Sequence, residues 1–166
     1  MLIKKLISLL QPDFLKKRRE LIKKRDVYNY RLFDFLTPDS IFIDIGANKG
    51  DVSHYVSQIS GGCQIFCYEP HPGAFTFLET RFQNFKNIHV FNKAVSDKQG
   101  VSTMYLHESS ESNLDLKFSQ GTSFDPDKIN VDKLKTISVE CVSIDKILSK
   151  FDSITCIKID IEGHEY

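Results

Sequence analysis

The sequence lacks the features that would place it in a membrane, in the secretory pathway or among disulfide-rich proteins. No apolar run reaches the ~18 residues that a membrane-spanning helix requires, and no small-residue cleavage site follows the short apolar stretch of residues 1–10. Its four cysteines show no Cys-x-x-Cys spacing. We therefore expect reduced, buried thiols and a cytoplasmic protein.

Net charge is also absent, but the two signs are unevenly distributed along the chain. The 22 basic and 22 acidic side chains cancel overall. Residues 1–36 hold ten basic and four acidic side chains, whereas the rest of the chain holds 12 basic and 18 acidic ones. An acidic body argues against nucleic-acid binding by the folded part of the chain.

The basic leader has apolar residues at helical spacing, which predicts amphipathic helices over residues 1–36. We expect the apolar face of these helices to pack on the domain. The alternative is peripheral contact with an anionic membrane, on which a basic amphipathic helix can lie. The predicted boundary puts the leader at residues 1–38 and the folded domain at residues 39–166.

The stretch IFIDIGANKGD, which begins at residue 41, combines a buried strand, a glycine-punctuated turn and the start of a helix. Gly46 and Gly50 allow positive φ and close approach of a ligand, and Asn48 tolerates the left-handed region best among non-glycine residues. The third glycine of the dinucleotide fingerprint would fall on Asp51. Acids in and beside the loop would repel a pyrophosphate, whereas S-adenosylmethionine brings an ammonium and a sulfonium, so the pattern favours a methyl donor.

Glu69 follows the second predicted strand, residues 64–68. In Rossmann-like sites a carboxylate at this strand end holds both hydroxyls of a ribose. The alternative is an acid at the N-terminus of the next helix, which begins near His71 and whose dipole favours negative charge there.

The rest of the sequence predicts further strands and one long connection. A third strand over residues 88–91 precedes small and polar residues that could form an adenine wall. Strands at 101–106 and 136–142 flank residues 108–130, a long surface loop or lid. Residues 154–161 form a fourth core strand, whose apolar run is typical of a strand covered on both faces.

With these elements in place, five blocks resemble the FkbM family of S-adenosylmethionine-dependent methyltransferases. They are, in order, FIDIGANKG (42–50), YEP (68–70), NKAVSD (92–97), VSIDKIL (142–148) and IKIDIEGHE (157–165). The resemblance implies the α/β, Rossmann-like sheet of a class I methyltransferase, with S-adenosyl-L-methionine as the cofactor. It also implies, usually, O-methylation of a sugar or natural-product hydroxyl.

The candidate site residues lie at the strand ends. The residues expected to bind the cofactor are Asp44, Gly46, Ala47, Asn48, Gly50, Glu69, Pro70, Asn92 and Ala94. The candidate catalytic residues are Asp160, Glu162 and His164. The histidine suits a general base, or it faces solvent at a helix start. The two acids could orient the acceptor or help to ligate a divalent ion, but no cluster with ligand spacing predicts a metal site.

Class I methyltransferases build a seven-stranded sheet, and the strands beyond the fourth are missing from this sequence. We expect either a fragment of a longer chain or a partner that supplies the rest, and self-association through the open edge of residues 154–161. The expected substrate is a small-molecule or glycan acceptor. Two other functions stay open: a non-catalytic module that binds a partner protein, and a nicotinamide-dependent oxidoreductase.

Overall fold

The computed structural model describes residues 30–97 and 99–161, so the helices predicted for residues 1–29 lie outside the described residues. Backbone contacts divide the chain into two units, Met1–Phe35 and Leu36–Tyr166. In the first unit, Arg31–Phe33 form a short 3₁₀ helix. The second unit contains the elements that build the candidate site.

The second unit alternates strands and helices before it enters a region richer in strands. In chain order its elements are β1 (Ile41–Ile45), α1 (Asp51–Ile59), β2 (Gln64–Tyr68), α2 (Pro72–Phe82), β3 (Ile88–Phe91), β4 (Ala94–Ser96), β5 (Gly100–His107), a 3₁₀ helix (Leu116–Gly121), β6 (Val131–Ser143), α3 (Ile144–Leu148) and β7 (Cys156–Ile159). Among the described residues, no helix is both long and apolar enough to cross a membrane.

The larger sheet consists of four strands in the order β3-β2-β1-β7, and every pair in it is parallel. The helices α1 and α2 connect β1 to β2 and β2 to β3, as parallel neighbours require. The predicted α/β class with a parallel, Rossmann-like sheet is therefore confirmed. The carboxyl ends of all four strands meet at one edge, where open sheets of this kind bind ligands.

β1 is an interior strand of this sheet, and its residues are buried on both faces. Phe42, Ile43 and Ile45 are almost completely inaccessible to solvent, and so is Asp44 between them. β1 pairs with β2 on one side and with β7 on the other, which satisfies its backbone on both edges. The glycine turn that follows is thereby held over the middle of the sheet.

A second sheet, in the order β4-β6-β5, was not predicted as a unit. The predicted strands at 101–106 and 136–142 are confirmed as the antiparallel pair β5 and β6. Residues 94–96, predicted only as a polar strand end, form β4 and pair in parallel with β6. The local sequence gave no sign of this pairing because Ala94 meets Cys141, far along the chain.

The two sheets share one hydrophobic core, which fixes the second sheet beside the carboxyl edge of the first. The buried members of this core are Ile43, Ile45, Tyr68, Val95, Val142 and Ile147. α3, which carries Ile147, begins as predicted with Ser143 as its N-cap, since the Ser143 hydroxyl accepts a hydrogen bond from the Lys146 N–H. Three residues of this core, Ile45, Tyr68 and Val95, also line the cavity described below.

Residues 108–130 are more ordered than the predicted surface loop. They contain the 3₁₀ helix Leu116–Gly121, and several of their small polar residues are buried, including Ser119, Thr122 and Ser123. Ser123 also forms a bridge with Tyr105 of β5. The segment is consequently attached to the second sheet rather than free in solvent.

β7 lies at one end of the larger sheet. It is shorter than the predicted strand, and its Ile159 is 52% exposed. Within residues 30–97 and 99–161, no further strand pairs with its outer edge. The predicted self-association through this edge stays a prediction.

Candidate functional site

The turn after β1, residues 46–50, is called here the glycine loop. Gly46 and Gly50 both have φ of 73°, and Asn48 has φ of 48°, so all three adopt the left-handed conformation that the sequence predicted. The backbone N–H groups of Gly46 and Ala47 both donate to the Tyr68 carbonyl, at 3.0 and 3.1 Å. The loop is therefore anchored to the end of β2.

The two glycines are also required by protein atoms that crowd them. A Cβ at Gly46 would overlap the backbone carbonyl of Asp160 at the end of β7. A Cβ at Gly50 would lie 2.5 Å from Leu78 and 2.6 Å from Phe82 of α2. Close packing against β7 and α2 thus explains why glycine is required at both positions. The sequence alone indicated positive φ and close approach of a ligand as the reasons for this requirement.

Glu69 is held by two backbone N–H groups. One carboxylate oxygen accepts the Asn48 N–H and the other accepts the His71 N–H, each at 2.8 Å. Each oxygen keeps a further lone pair for another donor. Since His71 is the N-cap of α2, the carboxylate lies at the start of this helix, as the alternative predicted, and the ribose role stays a prediction.

The environment of Glu69 disfavours its charge. The residue is 5% exposed, and burial raises the pKa of Glu69 from 4.5 to about 7. The backbone N–H donors of His71 and Asn48 and the Lys158 ammonium oppose this rise in pKa, whereas the nearby Asp44 adds to it. The carboxylate is therefore short of donors and would gain from two more.

Asp44 lies beneath the loop and is completely buried. It accepts a hydrogen bond of 2.6 Å from the Ser53 hydroxyl of α1, and it forms an ion pair of 3.1 Å with the Lys158 ammonium. Asp51 is likewise paired, at 2.6 Å, with Arg81 of α2. Both acids of the sequence-based charge argument thus have cationic partners within the protein.

Lys158 is a site residue that sequence reasoning missed. Its ammonium donates to the Gly46 carbonyl at 2.8 Å and lies 3.7 Å from an oxygen of Asp160. The available signal was a lysine inside the apolar run of β7, where a charged side chain that is shielded from solvent requires a partner.

A cavity opens at the carboxyl edge between the two sheets. Six of the predicted site residues line it, namely Gly46, Asn48, Glu69, Pro70, Ala94 and Asp160. Asp44, Ala47, Gly50 and Asn92 are not among the residues that line it. The Asn92 side chain instead donates to the carbonyls of Glu69 and Pro70, at 2.9 and 3.1 Å, and so fixes the end of β2.

The far wall of the cavity comes from the region that sequence analysis treated as a loop or lid. Its members are Ser119, Gln120, Thr122, Ser123 and Phe124, with Met104 of β5 and Lys93. The Asn48 side chain donates to the Ser119 hydroxyl at 2.9 Å, which links this wall directly to the glycine loop. The ring of Phe118 stacks on His107 of β5 at 4.8 Å.

The candidate catalytic residues are only partly described. Asp160 lies at the end of β7, where its side chain is 67% exposed. Glu162 and His164 lie outside the described residues, so their roles stay predictions. Among residues 30–97 and 99–161, no group of three or more histidine, cysteine or acidic side chains could hold a metal ion.

Comparison with known proteins gives one match to a family and several to individual proteins. Residues 44–166 match the family described as Methyltransferase FkbM domain. The 2-O-methyltransferase NoeI of Sinorhizobium fredii is 32% identical over 63 residues, which are 38% of this chain and 26% of that protein. The chain thus spans about a quarter of the length of this relative.

Two solved structures with partial similarity are methyltransferases. Precorrin-6y C5,15-methyltransferase from Geobacter metallireducens is 24% identical with a TM-score of 0.35, and the match covers 39% of this chain and 35% of that one. Coclaurine N-methyltransferase is 13% identical with a TM-score of 0.35, covering 53% and 37%. Because the match to the FkbM methyltransferase domain extends over most of the sequence, the chain belongs to that family.

Proposed function

We propose that this chain binds S-adenosylmethionine and transfers its methyl group to a hydroxyl of a sugar or natural product. The observation that carries the proposal is Glu69, a buried carboxylate on the cavity wall with one lone pair left on each oxygen. Family membership supports the cofactor, because the FkbM domain is a methyltransferase domain. The name of the relative NoeI, a 2-O-methyltransferase, supports an oxygen acceptor.

The described residues fit an adenosine-bearing cofactor. Glu69 would accept the two ribose hydroxyls, which would supply the donors that its carboxylate lacks. Asn48 would keep Glu69 oriented through its backbone N–H, and its side chain would hold Ser119 of the far wall in place. The apolar lining from Ile45 and Met104 suits a flat, weakly polar ring.

When bound, S-adenosylmethionine supplies an electrophilic methyl group, which passes from sulfur to the acceptor oxygen while the hydroxyl loses its proton. Much of the acceleration of such a displacement comes from holding the acceptor in line with the methyl group. Asp160, at the cavity edge and largely exposed, could orient the hydroxyl and receive its proton. Glu162 and His164 are further candidates for these roles.

Calorimetric titration of the chain with S-adenosylhomocysteine and, separately, with NAD tests the cofactor. We expect the first ligand to bind and the second not to bind. Binding of NAD alone would favour the nicotinamide-dependent oxidoreductase, and binding of neither ligand would favour the non-catalytic module. The acceptor class is then tested with S-adenosylmethionine labelled in its methyl group, incubated with sugars that offer hydroxyls or amines, and transfer to amines only would contradict it.

A further inference from the structure

Lys158 contacts three residues around the start of the glycine loop. In the parallel register of β1 and β7 it lies opposite Asp44. Its ammonium donates to the Gly46 carbonyl at 2.8 Å, lies 3.1 Å from Asp44 and lies 3.7 Å from Asp160. The Lys158 side chain is only 18% exposed.

An ammonium that is largely shielded from solvent requires compensation, and Asp44 supplies it. Asp44 is completely buried, so removal of the lysine would leave an uncompensated carboxylate in the protein interior. The Ser53 hydroxyl fixes this carboxylate from the other side. The ammonium is therefore held in part by a carboxylate that does not line the cavity.

This fixed ammonium acts on the backbone of the glycine loop. The Gly46 N–H is held by the Tyr68 carbonyl of β2, and the Gly46 carbonyl is held by Lys158 of β7. Two strands thus hold the two sides of this residue, which has φ of 73°. Two positions later, the Asn48 N–H donates to Glu69.

We propose that Lys158 is a positioning residue for cofactor binding. By fixing the Gly46 carbonyl, it holds the glycine loop in the conformation that presents the Asn48 N–H to Glu69 and keeps that carboxylate aimed at the ribose. The inference rests on the proposed function, because it assigns Lys158 to the same cofactor site. It predicts that Lys158 has two distinct effects: it stabilises the fold by compensating the charge of Asp44, and it increases affinity for the cofactor by positioning the glycine loop.

The variants Lys158→Met and Asp44→Asn/Lys158→Met separate the two effects. The single variant leaves Asp44 buried without its cation and should lower the melting temperature. The double variant carries no buried charge at this point and should recover much of the lost stability. Lys133→Met is the control, since Lys133 forms an exposed ion pair with Asp127 and does not line the cavity.

We expect the double variant to bind S-adenosylhomocysteine at least tenfold more weakly than both the unmodified chain and the single variant Asp44→Asn, although its stability recovers, and Lys133→Met to bind normally. Recovery of affinity together with stability in the double variant would overturn the proposal, since Lys158 would then only neutralise Asp44.

Amide hydrogen exchange without ligand gives a second readout. The Asn48 amide should exchange faster in the double variant than in the unmodified chain, because the loop has lost its contact with β7. If the unmodified chain does not bind S-adenosylhomocysteine, the proposed function fails, and faster exchange at Asn48 would still assign loop positioning to Lys158. Unchanged exchange would refute the role of Lys158 whichever ligand binds.

Discussion

Replacing Glu69 with glutamine tests the main feature of the site, because it removes the charge and keeps the size of the side chain. The carboxylate is expected to accept two ribose hydroxyls, and hydrogen bonds to charged groups contribute roughly 1.5–3 kcal/mol each. Glutamine keeps one acceptor oxygen and turns the other position into a donor, so at least one of these bonds is lost. We therefore expect the affinity for S-adenosylhomocysteine to fall by about 10- to 100-fold.

The raised pKa of Glu69 adds a pH dependence to this prediction. With a pKa of about 7 in the free protein, the carboxyl group is largely protonated at pH 6 and must lose its proton to accept both hydroxyls. The apparent affinity should therefore fall by about tenfold between pH 8 and pH 6. In Glu69→Gln this step should be absent, while titration of the ligand itself affects both proteins equally.

The raised pKa of Glu69 also makes the free energy of unfolding depend on pH. Because the folded-state pKa of Glu69 lies above its usual value of 4.5, its contribution to stability is present below about pH 4.5 and is lost as the pH rises through about 7. A shift of this size corresponds to roughly 3 kcal/mol.

Calorimetric titration of both proteins at pH 6, 7 and 8 measures the effect on affinity, and urea unfolding from about pH 4.5 to pH 8 measures the effect on stability. Equal affinities of the two proteins at pH 8, or the same pH step in Glu69→Gln, would refute the assignment of Glu69 to the ribose.

Two further substitutions test the packing around the glycine loop. Gly46→Ala should destabilise the protein more than Gly100→Ala in urea unfolding, because both positions have positive φ but only Gly46 would place a Cβ on the Asp160 carbonyl. Gly100 has open space around it, so its cost should be roughly the 1–3 kcal/mol of backbone strain, and equal costs would contradict the overlap. Ser119→Ala should remove the acceptor of the Asn48 side chain, at a cost of about 1 kcal/mol, and speed amide exchange in Leu116–Gly121. Unchanged exchange there would show that this hydrogen bond does not hold the wall.

Features with a local physical cause were predictable from the sequence. The apolar run of β1 is typical of a strand buried on both faces, and the turn after it requires residues that tolerate positive φ, as Gly46 and Asn48 do. Ser143 precedes a short amphipathic segment and caps it. Glu69 was identified because parallel strands bring their carboxyl ends to one edge, a property of the topology rather than of any contact.

Features that depend on pairing between distant residues were not predictable in this way. β4 has three residues, and its parallel partner β6 is separated from it by β5 and by residues 108–130. The polar composition of residues 108–130 indicated exposure, yet Ser119 and Thr122 are buried with their hydroxyls hydrogen-bonded to nearby backbone or side-chain groups. The far wall of the cavity therefore became visible only once both sheets were in place.

Whether acids near the glycine loop favour a methyl donor, as the sequence indicated, also depends on contacts between distant residues. Read along the sequence, Asp44 and Asp51 count as two negative charges beside the loop. In the structure, Lys158 and Arg81 lie within 3.1 and 2.6 Å of them, and neither cation is close to its partner in the sequence. A carboxylate whose charge is neutralised by a nearby cation repels a pyrophosphate, or attracts a sulfonium, only weakly. The preference for a methyl donor over a dinucleotide therefore depends on the family match, because a carboxylate at the position of Glu69 would suit the ribose of either ligand.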